Sequence, residues 1–266
     1  MIIDRRDEPT AESRPDESRP PVPDPGPGPA RVDVDLWQLR VDHLAEEDLD
    51  LSELDDEERV RLTTPRRAVD RLRYGVGHIA LRRLLAPRLG VAPAAVTYRR
   101  EPCPGCGALH GRPAVEGPPG APHFSLSHSG DVVLVGIAAR PVGVDVETFP
   151  AAGTVREVTS VLHPLERAEI AQAGHAPEAF ARVWCRKEAY LKGLGIGVAR
   201  PLDQDYLGEC DPSALPEGWD VRGVATADAH AAAVAVEGTL GIVRSSWLPA
   251  SFVTTGNPGG TPGEPS

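Results

Sequence analysis

Residues 124–147 read FSLSHSGDVVLVGIAARPVGVDVE, and the fold turns on how this stretch is paired. Phe124–Ser127 and Val132–Ala138 are two short runs joined at Ser129-Gly130-Asp131, a polar, glycine-centred turn of the kind that closes a hairpin. The second run, continued to Ala139, is the longest apolar stretch of the chain. It is too short to span a membrane and suits a buried strand. Gly143–Glu147 then begins another strand. Alternate strand residues share a face, so Asp145 and Glu147 point one way while Val144 and Val146 face a core.

On the N-terminal side, Val32–Trp37 alternates with period two and predicts a strand. Ser52 is placed to cap a charged helix running through Leu62, and Pro65 suits the first turn of a longer helix to about Leu85. Val96–Arg99 predicts a short strand, and residues 101–122 a loop rich in Gly and Pro. On the C-terminal side, the pattern predicts helices at 163–173 and 177–193, then strands near 221–226 and 230–237. Strand, helices and paired strands thus occur twice. The expected fold class is α+β: two pseudo-twofold-related halves, 31–142 and 143–252, each a small antiparallel sheet packed on a long helix, with the active site in the cleft between them. Residues 1–30 and 253–266 are polar and rich in Pro or Gly, and read as disordered tails.

The chain has 266 residues, 41% of them hydrophobic but only 5% aromatic, so the core must be built mainly from Ala, Val and Leu. The N-terminus MIIDRRDEPTAESRPDESRP has no apolar signal region, which makes a cytoplasmic protein without a membrane segment the expectation. Four cysteines in a chain of this length do not make a disulfide framework. Cys103 and Cys106 form a CxxC followed by His110. They offer three ligands to a zinc ion where a structural site needs four, so a tight Pro-Gly turn with two reduced thiols is the preferred reading. The net charge of −11 is unevenly spread: residues 31–58 hold 12 acids and 2 arginines, residues 59–112 hold 12 arginines and 2 acids. The basic block is either a solvated helix face or counter-charge for a polyanionic ligand. Nucleic acid is disfavoured, because the protein is acidic overall and aromatic residues are not interleaved with the basic ones.

Three clusters carry chemistry. Asp145 and Glu147 share a strand face, where two carboxylates repel unless a cation or solvent intervenes. Magnesium is the natural cation, since it is held by one or two carboxylates together with waters and phosphate oxygens. An exposed strand face would read the same way. In Trp184-Cys185-Arg186-Lys187-Glu188-Ala189-Tyr190-Leu191-Lys192, helical spacing sets Trp184, Glu188 and Lys192 on one face. An ordinary i,i+4 ion pair is the plain reading of Glu188 and Lys192. Yet the chain's 28 basic residues include only two lysines, Lys187 and Lys192, and both lie here. That bias argues for a compact ammonium where a planar guanidinium will not serve. The third cluster is Phe124-Ser125-Leu126-Ser127-His128-Ser129-Gly130-Asp131, whose hydroxyls, imidazole and turn amides lie on a bend that can receive phosphate oxygens. Ser127 and His128 are not a hydrolase pair: neighbours on a strand face opposite ways, and no G-x-S-x-G elbow is present.

SHSGD, then GVDVE, then WCRKEAYLKGLGIG, in this order, resemble the 4'-phosphopantetheinyl transferase superfamily, in particular its larger pseudo-dimeric branch that activates polyketide and nonribosomal peptide synthetases. Gly111-Arg112-Pro113 is similar to that family's Gly-Lys-Pro segment, and Asp70–Tyr74 with His78–Arg82 to its long first-half helix. The resemblance spans about Leu51–Ala235. It implies transfer of the 4'-phosphopantetheine moiety of coenzyme A to a serine of an apo acyl or peptidyl carrier protein, with adenosine 3',5'-bisphosphate as the other product. Carried over by position, it assigns Asp145, Glu147 and Glu188 to magnesium, with the three carboxylates expected to converge within a few ångströms. Glu188 would also be the general base and Lys192 the neutraliser of the diphosphate. Ser127, His128 and Arg112 would contact coenzyme A, helped by Arg71 and Arg73. Ser125 replaces a common Asn, Arg112 a common Lys, and Val69 an arginine that often meets the 3'-phosphate. Two halves in one chain imply a monomer. A pyrophosphohydrolase and a non-catalytic coenzyme A-binding module are the competing classes.

Overall fold

The computed structural model describes residues 31–197 and 200–256. The tail expected at 1–30, and the part of the tail expected at 253–266 that follows residue 256, lie outside the described residues. In chain order the elements are β1 (Arg31–Arg40), α1 (Asp56–Leu62), α2 (Ala68–Leu89), β2 (Tyr98–Arg100), β3 (Pro113–Val115), β4 (His123–Ser129) and β5 (Val132–Ala138). There follow β6 (Val142–Thr148), α3 (Ala152–Thr159), α4 (Pro164–Gln172), α5 (Ala176–Leu194), β7 (Trp219–Val224), β8 (His230–Glu237) and β9 (Thr239–Trp247). Three sheets form, ordered β4-β5-β1-β9, β6-β8-β7 and β2-β3. The fold is α+β, as expected. Among the described residues no helix is long and apolar enough to cross a membrane.

The layers follow from strand alternation. Val133, Val135, Ile137, Trp37 and Leu39 pack with Val76, Ile79 and Leu84 of α2. Their neighbours Val132, Leu134, Val34 and Leu36 face the other way, onto Val144, Val146, Val234 and Val236 of the second sheet. On that sheet's far side Ala231, Ala233 and Ala235 meet Cys185, Ala189 and Tyr190 of α5. The order is therefore helix, sheet, sheet, helix. Alanines on β8 let α5 lie close, and Gly143 lets it closer still: a Cβ there would fall 1.9 Å from the Ala189 carbonyl oxygen.

Several boundaries differ from those expected. The capping residue of α1 is Asp55, whose side chain accepts from the Glu58 amide while Glu58 returns the bond to the Asp55 amide, a capping box. Ser52 instead lies in a 3-10 turn with Asp50. α2 starts at Ala68, because Arg67 is extended, and runs past Leu85 to a left-handed Gly90. The unforeseen β9 pairs with β1 in parallel, so the first sheet is antiparallel except at this edge, and the last strand returns to the first half. Packing continues past 252: Val253 is fully buried and Thr254 bridges Leu49.

The opposed charge blocks largely answer each other. Arg82, wholly buried, pairs with Asp55 at 2.6 Å and Glu58 at 2.7 Å. Arg83 pairs with Asp50 and Glu53, both at 2.7 Å, and Arg71 with Glu46 at 2.9 Å. Much of the basic block is thus internal counter-charge, where a missing partner is costly, and only part of it is available to a ligand.

Candidate active site

β4 and β6 run side by side at the edges of different sheets, joined by serine side chains instead of a backbone ladder. Ser125, Ser127 and Ser129 accept from the amides of Val144, Val146 and Thr148 at 3.0, 3.4 and 3.3 Å. The period of two in S-x-S-x-S matches the period of two in the amides that β6 presents, so otherwise orphaned donors are satisfied. Two of these hydroxyls also donate onward, Ser127 to Asp145 Oδ1 at 2.8 Å and Ser129 to Glu147 Oε2 at 2.7 Å. The seam fixes both carboxylates.

α5 supplies the rest. A proline in its first turn and a left-handed Gly195 just beyond its end delimit it. Its close seating over Gly143 brings Lys192 Nζ to 2.6 Å from Asp145 Oδ1 and 2.9 Å from Ser127 Oγ. Lys192 therefore bridges the two halves and is not the i,i+4 partner of Glu188. Asp145 is buried, and its Oδ2 takes no hydrogen bond from any N–H or O–H group. Burial first, then the neighbouring Asp145 and Glu147 carboxylates, push Glu188 above the ordinary glutamate range. Glu147 is raised by burial and by Asp145, although its bond from Ser129 opposes this. These are three oxygen donors that crowd one another electrostatically, with one buried oxygen unpartnered, an arrangement suited to a hard divalent cation. They do not close to one point: among the described residues, the group of His, Cys, Asp or Glu ligand atoms lying within 4.8 Å of one another is Cys103, Cys106 and His110. Carboxylates repel at short range, and Asp145 takes Lys192 as its partner.

Lys192 lines a cleft of about 630 Å³ between the halves, together with Tyr74, His78, Tyr98, Arg112 and Phe124. Arg112 donates to the Gly193 carbonyl at 2.8 Å. Its Nε lies 2.7 Å from Glu101 but off the hydrogen-bonding direction, an ion pair only. Arg73 donates to the Gly130 carbonyl at 2.6 Å and to Asp70 at 2.8 Å, which sets it at the β4–β5 turn beside His128. The outer edge of His128 is open to solvent, but crowding by protein on its inner side, then Arg73 and Lys192, hold it below the usual histidine value. Arg71 is committed to Glu46 and the Pro65 carbonyl, away from the carboxylates. Lys187 is not in the site: it is buried against Glu166 at 3.0 Å and the Asp205 carbonyl at 2.7 Å. Burial and the Asp145 and Glu147 charges raise the Cys185 thiol far above its ordinary range, so it stays protonated. The sequence groups Ser125 and Ser129 with the phosphate-receiving hydroxyls; what it misses is their part in the seam, and the aromatic lining of the cleft. The serine alternation opposite Asp145 and Glu147 was the available signal for the first; the second needs the tertiary structure.

Fold and site together set a carboxylate cluster, Asp145, Glu147 and Glu188, beside Lys192 at the junction of the two halves. A family model described as the 4'-phosphopantetheinyl transferase superfamily matches residues 141–218. A phosphopantetheinyl transferase of a Thraustochytrium species is 32% identical over 191 residues, 64% of each chain. A Bacillus subtilis 4'-phosphopantetheinyl transferase is 26% identical, covering 69% of this chain and 81% of its own length. The 4'-phosphopantetheinyl transferase HetI of a Nostoc species is 28% identical, covering 77% and 88%. The chain spans just under two thirds of the length of the first of these. By these matches the chain is similar to members of the 4'-phosphopantetheinyl transferase superfamily.

Proposed function

We propose that the chain transfers the 4'-phosphopantetheine moiety of coenzyme A to a serine of an apo acyl or peptidyl carrier protein, releasing adenosine 3',5'-bisphosphate, with magnesium required. The observation that carries this reading is the Lys192 ammonium, which spans Ser127 and Asp145 and lines a cleft large enough for a nucleotide. Asp145, Glu147 and Glu188 are the residues that would hold the magnesium, which when bound supplies positive charge to the diphosphate. Glu188, carboxylate but raised, accepts the carrier serine's proton. The serine oxygen bonds to phosphorus as the pyrophosphate link to the nucleotide breaks, and Lys192 stabilises the charge on the oxygens. His128, Arg73 and Arg112 receive the coenzyme's phosphates, and Ser127 orients Asp145 and Lys192. Because one chain provides both sides of the cleft, a monomer suffices. The function suits a cytoplasmic enzyme serving polyketide, nonribosomal peptide or fatty-acid carriers.

The competing hydrolase would give phosphopantetheine to water. Release of adenosine 3',5'-bisphosphate from coenzyme A separates them when followed with an apo-carrier, with the same carrier lacking its serine, and with no carrier. Transfer requires release with the first alone. Equal release in all three makes the chain a hydrolase, and no release in any overturns the reading.

A further inference from the structure

β2 and β3 form a hairpin whose pairing, Tyr98 with Val115 through Arg100 with Pro113, is extended by Glu101 and Arg112. Its tip is Cys103-Pro104-Gly105-Cys106-Gly107, followed by His110. The Gly107 amide donates to the Cys103 carbonyl at 2.8 Å, and Gly107 is left-handed with φ 76°, which only glycine adopts without strain. The Gly105 and Cys106 amides point at the Cys103 sulfur. Cys106 Sγ lies 3.0 Å from His110 Nε2, and the ligand atoms of all three residues lie within 4.8 Å of one another. Ligands across a tetrahedral zinc with bonds of about 2.0–2.3 Å sit about 3.5–3.8 Å apart. The fold thus brings two sulfurs and an imidazole nitrogen together at nearly the separation zinc requires.

We infer that Cys103, Cys106 and His110 bind a zinc ion, and that this ion fixes the hairpin tip from which Arg112 reaches the cleft. Cys103 is buried while Cys106 and His110 are exposed, so the fourth position opens to solvent and takes water. The tip is tied to the site through two contacts. A Cβ at Gly105 would meet Ile196 at 3.2 Å, just beyond α5, and Arg112 donates to Gly193 near the end of the same helix. Zinc therefore holds the first half's Arg112 against the helix that carries Lys192. A bare turn with two free thiols, the reading preferred from spacing alone, explains neither the convergence nor the placement of His110. Three soft or borderline ligands favour zinc over magnesium. The role assigned to Arg112 rests on the proposed transferase reading; the metal site does not.

The test is metal content and cobalt substitution of the full chain, which do not depend on transfer. Chain purified without chelator should carry about one zinc per molecule. Replacing zinc with Co²⁺ should give near-ultraviolet thiolate-to-cobalt absorption and strong visible bands of a four-coordinate site. Cys106→Ser and the surface variant His110→Asn should each weaken binding by about 10-fold or more. If transfer is as proposed, His110→Asn should also raise the KM for coenzyme A more than it lowers kcat. Absence of thiolate–cobalt absorption in the wild-type chain at excess Co²⁺ overturns the site, whatever the transfer assay shows. Undiminished cobalt binding by both variants overturns the ligand assignment.

Discussion

Lys192 donates to acceptors from both halves of the chain, a task that suits the rotatable donors of a compact ammonium better than a planar guanidinium. Its ammonium must reach Ser127 and Asp145 together. Lys192→Arg keeps the charge but offers a planar fork on a longer stem, so transfer should slow far more than for an exposed Lys→Arg exchange, with the melting temperature unchanged. Glu188→Gln keeps the volume and removes the proton acceptor. Its turnover should fall by about 10²–10⁴, the usual contribution of a positioned base, and excess magnesium should restore little. Single-turnover rates at saturating apo-carrier check both, and near-normal rates would reduce this helix face to scaffolding. His128 offers a pH signature. Held below 6.5, it is neutral near pH 7, and an arriving phosphate favours its protonated form. Binding then takes up a proton, so the KM for coenzyme A should fall as pH drops from about 8 toward 6. His128→Gln should flatten that slope relative to wild type; an unchanged slope removes the ring from the phosphate site.

At the scale of elements, the site depends on how closely α5 approaches β6. Gly143→Ala would force its methyl into the Ala189 carbonyl and the Gly193 amide. Overpacking of this kind costs about 1–3 kcal/mol, and it should also lift Lys192 off Asp145. Chemical denaturation and transfer rate should both show the loss. The matched control Gly153→Ala, which meets nothing nearer than 3.9 Å, should show neither. Lys187 makes the second element-scale prediction. It is nearly inaccessible and paired with a fully buried Glu166 beneath α5. Lys187→Met strands that carboxylate and should cost about 3–5 kcal/mol, whereas Lys187→Met with Glu166→Gln should regain much of it. A single variant as stable as wild type would show that the pair carries no weight. The two lysines that survive the arginine bias thus have separate explanations, one in chemistry and one in packing. Composition indicated that both mattered but not that their roles differ.

Across the whole molecule, what the sequence revealed depended on range. The β4–β5 hairpin and the shared face of Asp145 and Glu147 were legible because strand period and turn chemistry are local. α5 was legible from its spacing and from the glycine that ends it. β9 was not: Thr239–Trp247 is half-exposed, contains Gly241 and two serines, and is a strand only because β1 offers an edge. Short α3 has no side-chain cap to announce it. The pairing of the acidic block with the basic one was invisible for the same reason, since Arg82 meets Glu58 and Asp55 only once α1 folds back on α2. Arg71, assigned by position to the coenzyme, is turned to Glu46 by that same pairing. The central claim is that the seam, Lys192 and the three carboxylates form one transfer site across the two halves. Intact-mass measurement of apo-carriers incubated with the chain, coenzyme A and magnesium tests it most directly. The account predicts addition of a single phosphopantetheine to a carrier serine by the wild-type chain and none by a folded Asp145→Ala variant; full modification by that variant, or no modification of any carrier by wild type, would contradict it.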